Sequence, residues 1–95
     1  MATLSEEEIR EALRGLPGWE LVGNQITKQY RLGGFAGAIT FVVRLSYEAQ
    51  AADHHPDLDI RYDTVQVTLS THSEGGVTAK DIDLARSIDA VAPRA

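Results

Sequence analysis

The stretch "DHHPDLDIRY", Asp53 to Tyr62, sets two histidines side by side, and the chain has only three. Imidazole titrates near neutral pH, so such residues can serve as acids, bases or metal ligands. Neighbours in an extended backbone point their side chains to different sides. His54 and His55 are therefore poor co-ligands of one metal and poor partners in one proton relay. A partner must come from elsewhere, and the remaining candidate is His72, in "STHSEGGVT". Leu58, Ile60 and Tyr62 alternate with Asp59 and Arg61; Val65, Val67 and Leu69 alternate with Gln66, Thr68 and Ser70. Both runs show the period-two pattern of strands. The predicted turn between them is Asp63-Thr64. Counted outward from it, Thr71 and His72 fall opposite the segment from Leu58 back to Asp53, which returns His72 to His54. Asp81 can face the same loop.

Two imidazoles can divide an acid and a base role across a small substrate. A nearby carboxylate, Asp53 or Asp81, can orient a ring or favour its charged form. A metal site needs three converging ligands, which His54, His72 and a carboxylate could supply. No serine stands in an elbow or relay pattern and cysteine is absent, so covalent catalysis lacks a nucleophile. Gly33-Gly34 and Gly75-Gly76 lack a phosphate-loop pattern. The plainer readings are a solvated surface histidine, a solvated Arg61, a strand-end core anchor at Trp19, and core positions for Phe35 and Phe41.

The elements that must position these residues follow from pattern. Ser5-Glu6-Glu7-Glu8 reads as a capping box opening a helix with its stripe at Ile9, Leu13 and Leu16; Gly15, Pro17 and Gly18 end it. "WELV" and "QITKQYRL" flank Gly23-Asn24 and read as a β-hairpin. In "FAGAITFVVRLSYEAQAA", Phe35, Ile39, Val42, Val43, Ala49 and Ala52 recur at helical spacing, while Phe41 and Leu45 widen the stripe. A strand reading of "AITFVV" competes, because β-branched residues lower helix propensity. After the second hairpin, "SEGG" reads as a loop. Thr78 is a predicted N-cap for a last helix carrying Ile82, Leu84, Ala85, Ile88 and Val91, closed by Pro93.

The order α-β-β-α-β-β-α implies an α+β fold, a four-stranded antiparallel sheet with three helices packed on one face. Ninety-five residues suit a single domain over 1–95, burying roughly two-thirds of its unfolded surface. Open outer strands favour pairing between subunits. A net charge of −5 argues against a nucleic-acid surface. No apolar run is long enough to span a membrane. The acidic start "MATLSEEEIREAL" has no signal-peptide pattern, so a cytoplasmic location is expected.

"ADHHPDLDIRY" followed by "VQVTLSTHSEGGVTAKD", together with "LPGW" at Leu16–Trp19 and "DIDLARSID" at Asp81–Asp89, resembles the pterin-4a-carbinolamine dehydratases, also called dimerisation-cofactor proteins. The resemblance implies dehydration of 4a-hydroxytetrahydropterin to quinonoid dihydropterin, without metal or organic cofactor, in support of tetrahydrobiopterin recycling after aromatic amino-acid hydroxylases. It implies a homodimer or homotetramer. By position, His54 and His72 would be the catalytic acid–base pair. His55 would help hold the pterin, with Asp53 and Asp81 as supporting carboxylates and Thr71 as a pocket residue, all on the substrate-binding side. Two positions depart from the family pattern. Gln50 stands where many members carry an acidic residue, and Leu58 where animal members commonly carry an aromatic one. The competing reading is a non-enzymatic assembly or regulatory module, which would not need all three histidines.

Overall fold

A computed structural model describes residues 2–93 of the chain. The elements are α1 (Glu6–Leu13), β1 (Glu20–Val22), β2 (Gln25–Arg31), α2 (Phe35–Ala52), β3 (Asp57–Arg61), β4 (Thr64–Leu69), a single 3-10 turn at His72–Glu74, and α3 (Ala79–Val91). The order read from the sequence therefore holds, as does helix for "AITFVV". Ser5 and Glu8 close the α1 capping box through bonds of 3.1 and 2.8 Å. Hydrogen bonding from the Ser5 amide, then from its hydroxyl, holds the Glu8 carboxyl below its ordinary range.

The two hairpins join edge to edge in the order β1-β2-β4-β3, antiparallel throughout. Ile26 and Tyr30 of β2 and Val65, Val67 and Leu69 of β4 turn to one face and are buried. Phe41 and Leu45 of α2, Ile82, Leu84, Ala85 and Ile88 of α3, Ile9 of α1 and Trp19 complete that core. Each fully buried large side chain contributes about 1.5–3 kcal/mol from its removal from water.

Three expectations change. The pair Arg61–Thr64 closes the second hairpin, so its turn is Tyr62-Asp63 and not Asp63-Thr64. Tyr62 takes φ 51° to make that two-residue connection and leaves the strand. A ladder continued at this register would set His54 against Thr71, two residues from the partner that a turn at Asp63-Thr64 gives it. Second, Phe35 is 55% exposed and lies outside the core. Helix α2 has apolar residues on two sides, but the sheet and α3 cover only the side of Ala38, Phe41, Leu45 and Ala49. Phe35, Ile39, Val43 and Tyr47, spaced four apart, form an exposed stripe. Third, Leu58 and Ile60 alternate as read, and pair with Val67 and Val65 on the inner face, yet stay more than a third exposed. Strand β3 lies at the sheet edge, beyond the helices.

Candidate active site

The end of α2 aims the histidine pair. Asp53 adopts the left-handed conformation (φ 50°), its amide donates to the Gln50 carbonyl, and the His54 amide donates to the Ala49 carbonyl. These two bonds make a Schellman motif, which reverses the chain and satisfies the last helical carbonyls. Asp is among the few non-glycine residues that enter this region at modest cost. Pro56 then biases His55 toward extended backbone, and β3 begins at Asp57. "DHHP" is thus a helix stop and a strand start in four residues.

The opposite wall is the segment after β4. The Thr71 amide donates to the Gly76 carbonyl, and Gly75 takes φ 75° to close the loop around His72–Glu74. From the first hairpin, the Asn24 side-chain amide donates to the Gly75 carbonyl at 3.3 Å and braces the loop from behind. Asp53, His54, His55, Ser70, Thr71, His72, Ser73 and Lys80 together line a groove of about 320 Å³. The three histidines, Asp53 and Thr71 therefore share one concavity.

Asp81 lies beneath it. Its side chain has no accessible surface and meets the groove through two lining residues, Thr71 and His54, the latter with Nε2 2.5 Å from Asp81 Oδ1. Oδ2 accepts from the Thr71 hydroxyl and from the Thr78 amide, both at 2.9 Å. Thr71 spends its one proton on Asp81, so in the 2.8 Å contact between the threonine hydroxyls Thr78 is the donor. Thr78 and Asp81 are also the capping box that opens α3. One carboxylate thus starts a helix, orders two hydroxyls and orients an imidazole. A carboxylate is an acceptor only, so the shared proton sits on His54 Nε2 and leaves Nδ1 for an occupant of the groove. Every buried side-chain nitrogen or oxygen among the described residues has a partner.

His55 is exposed and its Nε2 lies 3.1 Å from Gln50 Oε1, a neutral acceptor. His72 is exposed on the loop opposite. Among the described residues no group of three or more His, Asp or Glu side chains is arranged to hold a metal ion. Nor is any helix long and apolar enough to cross a membrane. Sequence reasoning missed Ser70, Ser73 and Lys80 in the lining and Asn24 behind the loop. Lys80 alone left a trace, as a cation in the first turn of a helix, where the macrodipole disfavours it.

Residues 2–91 match the model of the family described as Pterin 4 alpha carbinolamine dehydratase. A protein of Roseiflexus castenholzii named "Putative pterin-4-alpha-carbinolamine dehydratase" is 50% identical over 90 residues, covering 95% of this chain and 97% of that one. A Nocardia farcinica protein of the same name is 51% identical over 89 residues, covering 94% of each. A crystal structure from Brucella melitensis, described as a transcriptional coactivator/pterin dehydratase, superposes with a TM-score of 0.91 at 42% identity, over 96% of this chain and 99% of that one. A pterin dehydratase-like protein identified as a RuBisCO assembly factor in the alpha-carboxysome shares the fold, with a TM-score of 0.64 at 19% identity over 81% of this chain and 89% of its own. This chain belongs to the pterin 4 alpha carbinolamine dehydratase family.

Proposed function

We propose that this chain dehydrates 4a-hydroxytetrahydropterin to the quinonoid dihydropterin, with His54 and His72 as the acid–base pair. The observation that carries this reading is the His54 imidazole, fixed through Nε2 by fully buried Asp81 and lining one groove with His72. In the reaction the C4a–O bond breaks and the oxygen leaves as water after taking a proton. A ring nitrogen gives up its proton as the C=N bond forms. Protons and electrons balance with one proton delivered and one removed, which two neutral-range groups flanking a flat ring can supply. Either histidine can begin as the cation and end neutral. His55, Asp53 and Thr71 hold the pterin, while Asp81 acts through His54 as a positioning residue. The product is the form returned to an aromatic amino-acid hydroxylase cycle.

The test is stopped-flow dehydration of synthetic 4a-hydroxytetrahydropterin by wild type, His54→Ala and His72→Ala. Wild type is expected to exceed the spontaneous rate, with each variant slower by about 10²-fold or more. A wild-type rate equal to the spontaneous one would sink the enzyme reading, and three equal rates would sink the residue assignment.

A homo-oligomer accompanies this proposal. The exposed stripe Phe35, Ile39, Val43 and Tyr47 and the apolar edge residues Leu58 and Ile60 offer helix and strand surfaces for a second copy. Val43→Glu is expected to lower the sedimenting mass; an unchanged mass would place the contact elsewhere. These same surfaces favour the assembly-module reading if the rate assay fails.

A further inference from the structure

Lys80 lines the groove but has no part in the proton transfers above. It occupies the second position of α3, where the positive end of the helix macrodipole disfavours a cation. No ion pair compensates it among the described residues. Its neighbour Asp81 is turned inward onto His54, Thr71 and Thr78, and Asp83 pairs with Arg86. Among the described residues the hydroxyls of Ser70 and Ser73, which line the same groove, likewise make no hydrogen bond. Across the groove, His55 is met by the neutral amide oxygen of Gln50 and not by a carboxylate. In a chain with a net charge of −5, this concavity gathers three imidazoles and an ammonium against one accessible carboxylate, Asp53.

A point cation with free hydroxyl donors beside it suits a tetrahedral anion, whose oxygens accept from all of them at once. We propose that Lys80, with Ser70 and Ser73, binds a phosphate monoester on the side chain of the pterin, and so selects which pterin the protein takes. The inference rests on the dehydratase reading for the pterin core and goes beyond it in assigning the substituent. The three residues stand on the loop and helix that flank His72, so a side chain anchored there leaves the ring to the imidazoles.

The experiment compares one 4a-hydroxytetrahydropterin carrying a free side-chain hydroxyl with its phosphate monoester, in wild type, Lys80→Gln and Lys80→Arg. The ester is expected to be favoured about tenfold in kcat/KM, through KM, as one charge-assisted contact in a partly exposed groove allows. The preference is expected to collapse toward unity in Lys80→Gln, persist in Lys80→Arg, and shrink as salt is raised. Quenching of pterin fluorescence with the stable oxidised pair reads the same ratio as binding, independently of turnover. Equal affinities for the two in wild type, or a preference that survives Lys80→Gln, would overturn the inference while the rate assay keeps the dehydratase reading. Absence of dehydration with both pterins would overturn that reading instead, and the binding ratio would still decide the anion subsite.

Discussion

Helix α3 carries a carboxylate toward each end, and three donors hold each one. At the first end, Asp81 takes His54 Nε2, the Thr71 hydroxyl and the Thr78 amide. At the other, Asp89 takes the Trp19 indole at 3.2 Å, the Lys28 ammonium at 2.9 Å and the Tyr30 hydroxyl. The helix macrodipole favours the first position and opposes the second, so Asp89 needs a full cation where Asp81 needs none. Lys28 also lies 4.7 Å from the centre of the Tyr30 ring, which adds a cation–π contact. The difference that matters is what lies beyond each donor. Beyond Trp19 and Tyr30 is the core, Lys28 reaches the surface, and burial, then Asp89, pushes the Tyr30 hydroxyl far above its ordinary range. The Tyr30 phenol therefore keeps its proton at neutral pH. Beyond His54 is an open groove and a second ring nitrogen. In the proposed mechanism the buried Asp81 acts only through His54, a donor that also faces the groove.

Removing each carboxylate separates the two roles. Asp81→Ala leaves an imidazole, a hydroxyl and an amide without their acceptor in a site of no solvent access, and is expected to cost about 3 kcal/mol. Urea denaturation monitored by Trp19 fluorescence measures it. Asp89→Ala is expected to cost less, about 2 kcal/mol, because Asp89 and Lys28 keep 24% and 20% exposure and water takes up part of the loss. A larger loss at Asp89 than at Asp81 would reverse the ranking.

The smallest effect depends on pH. Tyr30 is raised in the folded chain from an ordinary value of 10.0. Its contribution to stability is therefore complete below that value. It is lost as pH climbs beyond it, because the unfolded chain ionises first and the folded phenol only at still higher pH. Denaturation midpoints followed into the alkaline range should fall more steeply for wild type than for Tyr30→Phe. Equal slopes would show that Tyr30 is not the group responsible.

These two carboxylates also mark what the sequence discloses. The Asp81 side was legible because its parts are local: an N-cap at Thr78 with Asp81 three residues on, a proline after two histidines, and a hairpin that returns the chain. The turn was misplaced by one residue and the pairing by two, since Tyr62 entered the left-handed region with no glycine to announce it. The Asp89 cluster was not legible, because Trp19, Lys28 and Tyr30 reach it across 59 to 70 positions and no period links them. For α2, periodicity found the helix but could not choose between two apolar sides. The sheet chose one, leaving Phe35 in solvent. Lys80 left only its unfavourable place in a helix's first turn, and that gave no hint that the loop after β4 would set it in one groove with His72.

The most direct test of the contrast is the dehydration rate of Asp81→Asn against Asp89→Asn, each corrected for its folded fraction. Asp81→Asn keeps the size of the side chain but removes the acceptor that fixes the His54 proton, and is expected to lower the rate by about 10²-fold or more. Asp89→Asn is expected to stay within about threefold of wild type, since it touches no group in the groove. Equal losses in the two variants, or an Asp81→Asn protein at the wild-type rate, would contradict the roles assigned to the two ends of α3.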